Sequence, residues 1–163
     1  SKRTSAYSSI TSIAVHKLRN ELIASGTSDG LVCVWDCRND SAPLQEFDLS
    51  ATPSSSYSTS ANLNSCVWKL AFHPQVQRLF IASENGTLKS ADITPAFEVA
   101  DYTYGNNKKG ISSSLSSVVT ILANPASLNS FDMIGNEYDA SQVNIVCGAD
   151  NGCITVLNVE EKI

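Results

Sequence analysis

Residues Ser25–Asp36 read "SGTSDGLVCVWD", and this stretch decides how the chain is understood. It joins a small-residue strand end, an Asp29-Gly30 turn, an alternating apolar strand and a Trp35-Asp36 close. Asp-Gly tolerates positive φ and builds the tight turn whose twist matches paired strands. Alone, the stretch is a hairpin. The same order of features returns twice. "LFIASENGTLKSAD" (Leu79–Asp92) turns at Asn85-Gly86, and "NIVCGADNGCITVLN" (Asn144–Asn158) turns at Asn151-Gly152. Three hairpins in one order are a repeat, and each repeat is a supersecondary unit that buries its faces only against neighbours.

The context of the hairpins repeats as well. "SITSIAVHK" precedes the first and "CVWKLAFHP" the second, each placing an apolar residue before a histidine, His16 and His73. "SLNSFDMIG" precedes the third less faithfully. The unit therefore reads strand, short loop, strand, tight turn, strand, then a divergent fourth strand. Leu44–Leu49 and Glu98–Tyr104 are the expected fourth strands. "SVVTILAN" (Ser117–Asn124) is a further strand, either opening the third unit or completing the second. In "LVCVW", Leu31, Cys33 and Trp35 share one face while Val32 and Val34 share the other. Apolar residues on both faces fit a sheet sandwiched between two others. The units are expected near 8–49, 65–104 and 117–159. The serine-rich inserts 50–64 and 105–117 are too polar to pack a core and read as solvated loops.

Composition agrees. Hydrophobic residues make up 42% of the chain and charged residues only 17%, which favours short strands and loops over solvated helices. The net charge of -5 leaves no basic face for phosphates, and Lys108-Lys109 is a lone polar-loop pair, so direct nucleic-acid binding is not expected. No apolar run reaches the roughly 18 residues a membrane helix needs, so membrane insertion is not expected either. The opening "SKRTSAYSSI" has no apolar core and does not read as a signal peptide. Five cysteines at irregular spacing do not form a disulfide framework and suggest a reducing compartment. Cys33, Cys147 and Cys153 lie in apolar runs and read as small buried hydrophobes.

Catalytic signatures are missing. There is no nucleophile elbow, phosphate-binding glycine loop or Cys-x-x-Cys pair. His16 and His73 sit one unit apart without a third ligand, so neither a metal nor a cofactor is expected. Asp29, Asp36 and Glu84 fall at turns and strand ends, where carboxylates cap backbone groups. Recognition of other proteins remains. Trp68, near the start of a first strand, is a candidate contact, with packing between units as the other reading. Arg38 is the second candidate, its alternative being a pair with Asp36 or Asp40.

"SGTSDGLVCVWD" resembles the repeat of the WD-repeat family of β-propellers. The positions that carry the repeat pattern are Ser25, Asp29, Gly30, Trp35 and Asp36, then His73, Asn85, Gly86 and Asp92, then Asn151 and Gly152. The family's Gly-His pair is absent, so only Ser25, Asp29 and Trp35 could fill its inner hydrogen-bond network. Ala91-Asp92 and Leu157-Asn158 stand where Trp-Asp is usual. The resemblance implies an all-β, WD40-type β-propeller, with about three blades of a larger, seven-bladed ring. Propellers close with 4–8 blades, so the remainder would come from the same polypeptide or another chain. "VWDCR" (Val34–Arg38) also resembles the Trp-Asp-x-Arg signature of WD-repeat substrate receptors of cullin–RING ubiquitin ligases.

The order of segments narrows the resemblance further. Val67–Pro74, Ala82–Asp92, Ser127–Gly135 and Val146–Val156, with a polar insert between the second and third, are similar to the C-terminal half of the forty-three-kilodalton WD-repeat nucleoporin family. That resemblance implies a non-catalytic scaffold of the Y-shaped outer-ring complex of the nuclear pore. Its implied partners are other nucleoporins and its implied place is the nuclear envelope, where protein and mRNA transport occur. The family's presence at kinetochores of dividing animal cells is implied only in the same way.

Overall fold

A computed structural model describes residues 8–39, 41–49, 66–102, 117–136 and 139–160. Three antiparallel sheets carry the fold. The first is β1 (Ile10–Val15), β2 (Leu22–Thr27), β3 (Leu31–Asp36) and β4 (Gln45–Asp48), paired in chain order. The second begins with β5 (Val67–Phe72), β6 (Arg78–Ser83) and β7 (Thr87–Asp92). A helix α1 (Thr94–Tyr102) follows, and β8 (Val118–Ala123) then returns to pair with β7. The third holds β9 (Leu128–Asn136), β10 (Asp139–Ala149) and β11 (Ile154–Glu160). Each sheet is one blade of a β-propeller.

The tight turns form as the dipeptides demand. Gly30, Gly86 and Gly152 take φ of 87°, 78° and 77°, a region glycine enters without penalty. Each turn bonds across itself, for example from the Gly30 N–H to the Thr27 carbonyl at 3.2 Å.

Two cores lie between the blades. In the first, Ala24, Val32, Val34 and Phe47 of blade one meet Val67, Leu70, Phe72, Leu79 and Ile81 of blade two. In the second, Phe80, Ala82 and Leu88 of blade two meet Leu128, Phe131, Val143, Ile145 and Cys147 of blade three. Strand β6 thus sends Leu79 and Ile81 one way and Phe80 and Ala82 the other, and all four are buried. A strand packed on both faces needs this unbroken apolar run. Among the described residues none covers the outer faces of the first and third blades, where Ile13 is 64% and Val156 66% exposed.

Register makes the repeat quantitative. Val15 pairs with Ile23 in blade one, and Phe72 with Leu79 in blade two. Both inner strands carry a bulge at the same point, between Ile10 and Ser12 and between Val67 and Lys69.

Three expectations need correction or completion. Leu44–Leu49 does supply a fourth strand, but Glu98–Tyr104 does not: its first five residues lie in α1. The Asp92 carboxylate accepts the Thr94 N–H at 2.9 Å and Pro95 follows in the first turn, a helix start that prevails over a strand with Ala96 and Phe97 packed in the first core. "SVVTIL" completes the second sheet rather than opening the third. Cys147 is buried as expected, but Cys153 is exposed; it follows the Asn151-Gly152 turn, where the chain has not yet entered the sheet. The insert 50–64 and nearly all of 105–117, with Lys108-Lys109, lie outside the described residues.

Candidate functional site

Helix α1 sits where blades one and two meet, and this seam gathers Asp36, Arg38 and His16 of the residues singled out by sequence. Arg38 lies just past β3. Its guanidinium grips the Asp36 carboxylate through Nε and Nη2, the shortest contact being 2.6 Å. Nη2 also donates to the Ala100 carbonyl of α1 at 3.2 Å. Asp36 is buried, and the Arg38 guanidinium beside it holds its carboxyl below the usual carboxylate range. Asp36 further accepts the Arg38 backbone N–H at 2.9 Å. The arginine of "VWDCR" therefore joins two blades internally, although its side chain keeps 38% exposure.

His16 anchors the same seam from the other side. Its ring meets Phe72 of β5 and Phe97 of α1 edge-on, with centroids 5.1 and 5.2 Å away. Its Nδ1 accepts the N–H groups of Leu18 and Arg19 at 3.2 and 3.1 Å. Arg19 stacks over Phe97 at 5.3 Å and pairs with Glu21 at 2.6 Å. His73 repeats the device one blade on, its Nδ1 accepting the N–H groups of Gln75 and Val76 at 3.1 and 3.0 Å. Two accepted N–H groups require Nδ1 to be bare, so both rings are neutral with the proton on Nε2. Burial lowers both histidines below the ordinary imidazole value, and Arg19 adds to the effect at His16. Sequence reasoning placed the two histidines at equivalent positions but missed the capping role. The readable signal was a histidine ending each inner strand.

The opposite end of the blades carries the turn residues. Trp35 Nε1 donates to Ser25 Oγ at 2.9 Å. Asp29 accepts the hydroxyls of Thr27 and Ser8 at 2.5 and 2.9 Å. It thus stands apart from the Trp35–Ser25 link. Asn85 does similar work in blade two, accepting from Ser83 and Thr87 hydroxyls at 2.8 and 2.7 Å. Asn151 accepts the Cys153 N–H at 3.1 Å. Trp68 occupies the β5 bulge at this end and is 43% exposed. The Asp29, Asn85 and Asn151 side chains hold their turns. Among the described residues no group of three His, Cys, Asp or Glu could hold a metal ion. A shallow concavity on blade one is lined by Ile10, Ile13, Ile23, Ser25, Trp35, Asp36 and Cys37.

Comparison with known proteins follows this geometry. The WD domain, G-beta repeat, family model matches residues 2–36. The nuclear pore complex protein nup43 of Dictyostelium discoideum is 27% identical over 165 aligned residues, covering 90% of this chain and 32% of that protein. The chain thus spans about a third of that relative's length. Among solved structures, Saccharomyces cerevisiae Sqt1 superposes with a TM-score of 0.60 at 17% identity, over 94% of this chain and 32% of that one. The Dos1 propeller gives 0.60 at 16% identity, over 93% and 34%. The two solved structures share the fold. The chain folds as a few blades of a β-propeller, matches the WD repeat over residues 2–36 and is similar in sequence to nup43.

Proposed function

We propose that these blades are one sector of a larger WD-repeat ring, seven-bladed in the complete protein, that serves as a non-catalytic scaffold in the outer-ring Y-complex of the nuclear pore. The reading is carried by the alignment with nup43, which runs through 90% of the chain rather than through the repeat signature alone. The physical character of the site supports it. The polar side chains near each turn are spent on capping and on joining blades, which makes a rigid body. Such a body contributes surface to an assembly, with partners bound by groups like the half-exposed Trp68. The partners are other nucleoporins, and the place of action is the nuclear envelope.

A ubiquitin-ligase receptor would need Arg38 to meet an adaptor. The guanidinium is engaged with Asp36 and the Ala100 carbonyl, which speaks against that use. The test is affinity purification of the full-length tagged protein with imaging of the same cells. Outer-ring nucleoporins in near-stoichiometric yield and a nuclear-rim signal are expected. A diffuse signal with no nucleoporin recovered, or a cullin adaptor recovered and then lost with Arg38→Ala, would overturn the proposal.

A further inference from the structure

Blade one shows how one blade receives the next. Ser12 Oγ on β1 accepts the Leu70 N–H of β5 at 3.0 Å. Directly across the pair, Gly26 leaves a gap: a Cβ there would lie 2.5 Å from Val67 Cγ1. Thr11 Oγ1, beside it on β1, donates to the Val67 carbonyl at 2.6 Å. The inner strand of blade two thus hangs from two neighbouring hydroxyls and presses a β-branched side chain into one missing side chain. Val32 and Val34 complete the covered surface, fully buried.

Blade three carries the serine and the glycine of these fittings on its open side, with Asn129 at the place of Thr11. Ser12 pairs with Gly26, and Ser130 pairs with Gly148. Counting from the tight turns, Gly148 lies as far before Asn151 as Gly26 before Asp29, and Ile154 and Val156 match Val32 and Val34. Yet Ile154 is 75% and Val156 66% exposed, and nothing lies within 4 Å of a Cβ on Gly148. Gly148 is not among the positive-φ glycines, so its own backbone does not call for glycine; what the position preserves is space.

We infer that Ser130 and Gly148 form a socket for the inner strand of a further blade, carried by the rest of the same protein. That strand brings a β-branched side chain to Gly148 and, three residues on, a backbone N–H to the Ser130 hydroxyl. The nup43 relative is about three times the length of this chain, which leaves ample sequence for such a blade. The inference rests on the larger-ring part of the proposed function and not on its nucleoporin part; nuclear-rim location and the socket can fail separately.

The test uses the full-length protein. A valine suits an unobstructed strand, so Gly148→Val in an open sheet leaves the melting temperature unchanged or raises it. With the socket filled, it lowers the melting temperature by about 4 °C or more, as does Gly26→Val, and Gly148→Ala gives a smaller fall in the same direction. Val156→Cys gives a second reading that does not depend on destabilisation. A filled socket makes the new thiol react with iodoacetamide as slowly as buried Cys33. An unchanged or raised melting temperature for Gly148→Val, or labelling of Val156→Cys at the rate of Cys153, overturns the inference. So does a dimer in light scattering that Gly148→Val converts to monomer, because the occupant is then a second copy.

Discussion

Arg38 and Ala100 belong to different blades, and a 3.2 Å hydrogen bond from the Arg38 Nη2 to the Ala100 carbonyl joins them. The bond exists because α1 interrupts the second blade between β7 and β8 and leans back onto the first. Phe97 of the same helix meets His16 of blade one, and Gln45 Nε2 of blade one donates to the Asp92 carbonyl at 2.9 Å. The helix is a staple across an apolar seam. Apolar burial is non-directional, so these polar contacts set how the blades are registered.

Arg38→Ala removes the staple's polar half and leaves the Asp36 carboxylate buried without its cation. Breaking a fully buried pair costs about 3–5 kcal/mol. Since Arg38 keeps 38% side-chain exposure, water screens part of the pair, and about 1–2 kcal/mol is expected. Arg38→Lys recovers little, because an ammonium cannot grip both carboxylate oxygens and the carbonyl together. Denaturant unfolding of the full-length protein measures this. A change below about 0.5 kcal/mol, the range of ordinary surface substitutions, would sink it.

His16 and His73 make stability depend on pH. Both are held below the ordinary imidazole value by burial, with Arg19 a further cause and Glu21 an opposing one at His16. The unfolded chain titrates near pH 6.5, so below that point it binds protons the folded protein refuses. Stability is therefore full above about pH 7 and falls as pH drops through 6.5 toward the folded values, by up to about 1.4 kcal/mol per pH unit for each histidine. The lowered Asp36 acts in the same sense only in the carboxylate range, below the histidine window. Asparagine offers an Oδ1 cap that does not titrate, as Asn85 does for the Thr87 N–H at 3.2 Å. The double variant His16→Asn, His73→Asn should flatten the melting temperature between pH 5 and 7, and an unchanged slope would contradict the account.

How far the sequence carried depended on the kind of signal. The hairpins around Gly30, Gly86 and Gly152 were readable because alternating apolar residues and a turn dipeptide are local facts. Both faces of "LVCVW" were assigned in the same way, and Val32 and Val34 do enter the first core. The fourth strand of blade two was not readable. "EVADYTY" has strand-like composition, and the Asp92–Pro95 helix start outweighs it only once the seam beneath receives Ala96 and Phe97. The destination of "SVVTIL" was equally undetermined, since a strand's choice of neighbour is a long-range matter. Arg38 could be named as a pair for Asp36 because they are two residues apart; its bond to Ala100, 62 residues on, could not.

Thiol reactivity separates buried from exposed cysteines. Cys33 is buried, and its thiol is pushed up to about 11, mainly by desolvation and then by Glu46 and Asp29. Burial also raises Cys66 and Cys147. Cys153 lies exposed beside its turn. The thiolate is the reactive form, so iodoacetamide at pH 8 should alkylate Cys153 at least about tenfold faster than Cys33, Cys66 or Cys147. Peptide mapping against time reads the rates, and equal rates for Cys33 and Cys153 would mean that β3 does not bury its inner thiol.

Gly86 and Gly152 have the same backbone conformation, φ of 78° and 77°, but different surroundings. At Gly152 a Cβ would meet nothing within 4 Å, whereas at Gly86 it would run into the Asn124 and Ala126 carbonyl oxygens. The cause is β8, whose following residue Asn124 sends its N–H to the Gly86 carbonyl at 2.8 Å, so the two backbones touch. Alanine at Gly152 therefore costs only the left-handed conformation, about 1–2 kcal/mol. Alanine at Gly86 costs that and must also push β8 away from β7, so it should destabilise by at least about 1 kcal/mol more. Asparagine tolerates the conformation; it should rescue most of the loss at position 152 and little at position 86. Urea midpoints for the four variants decide this, and equal losses at both positions would show that β8 does not lie against the Asn85-Gly86 turn.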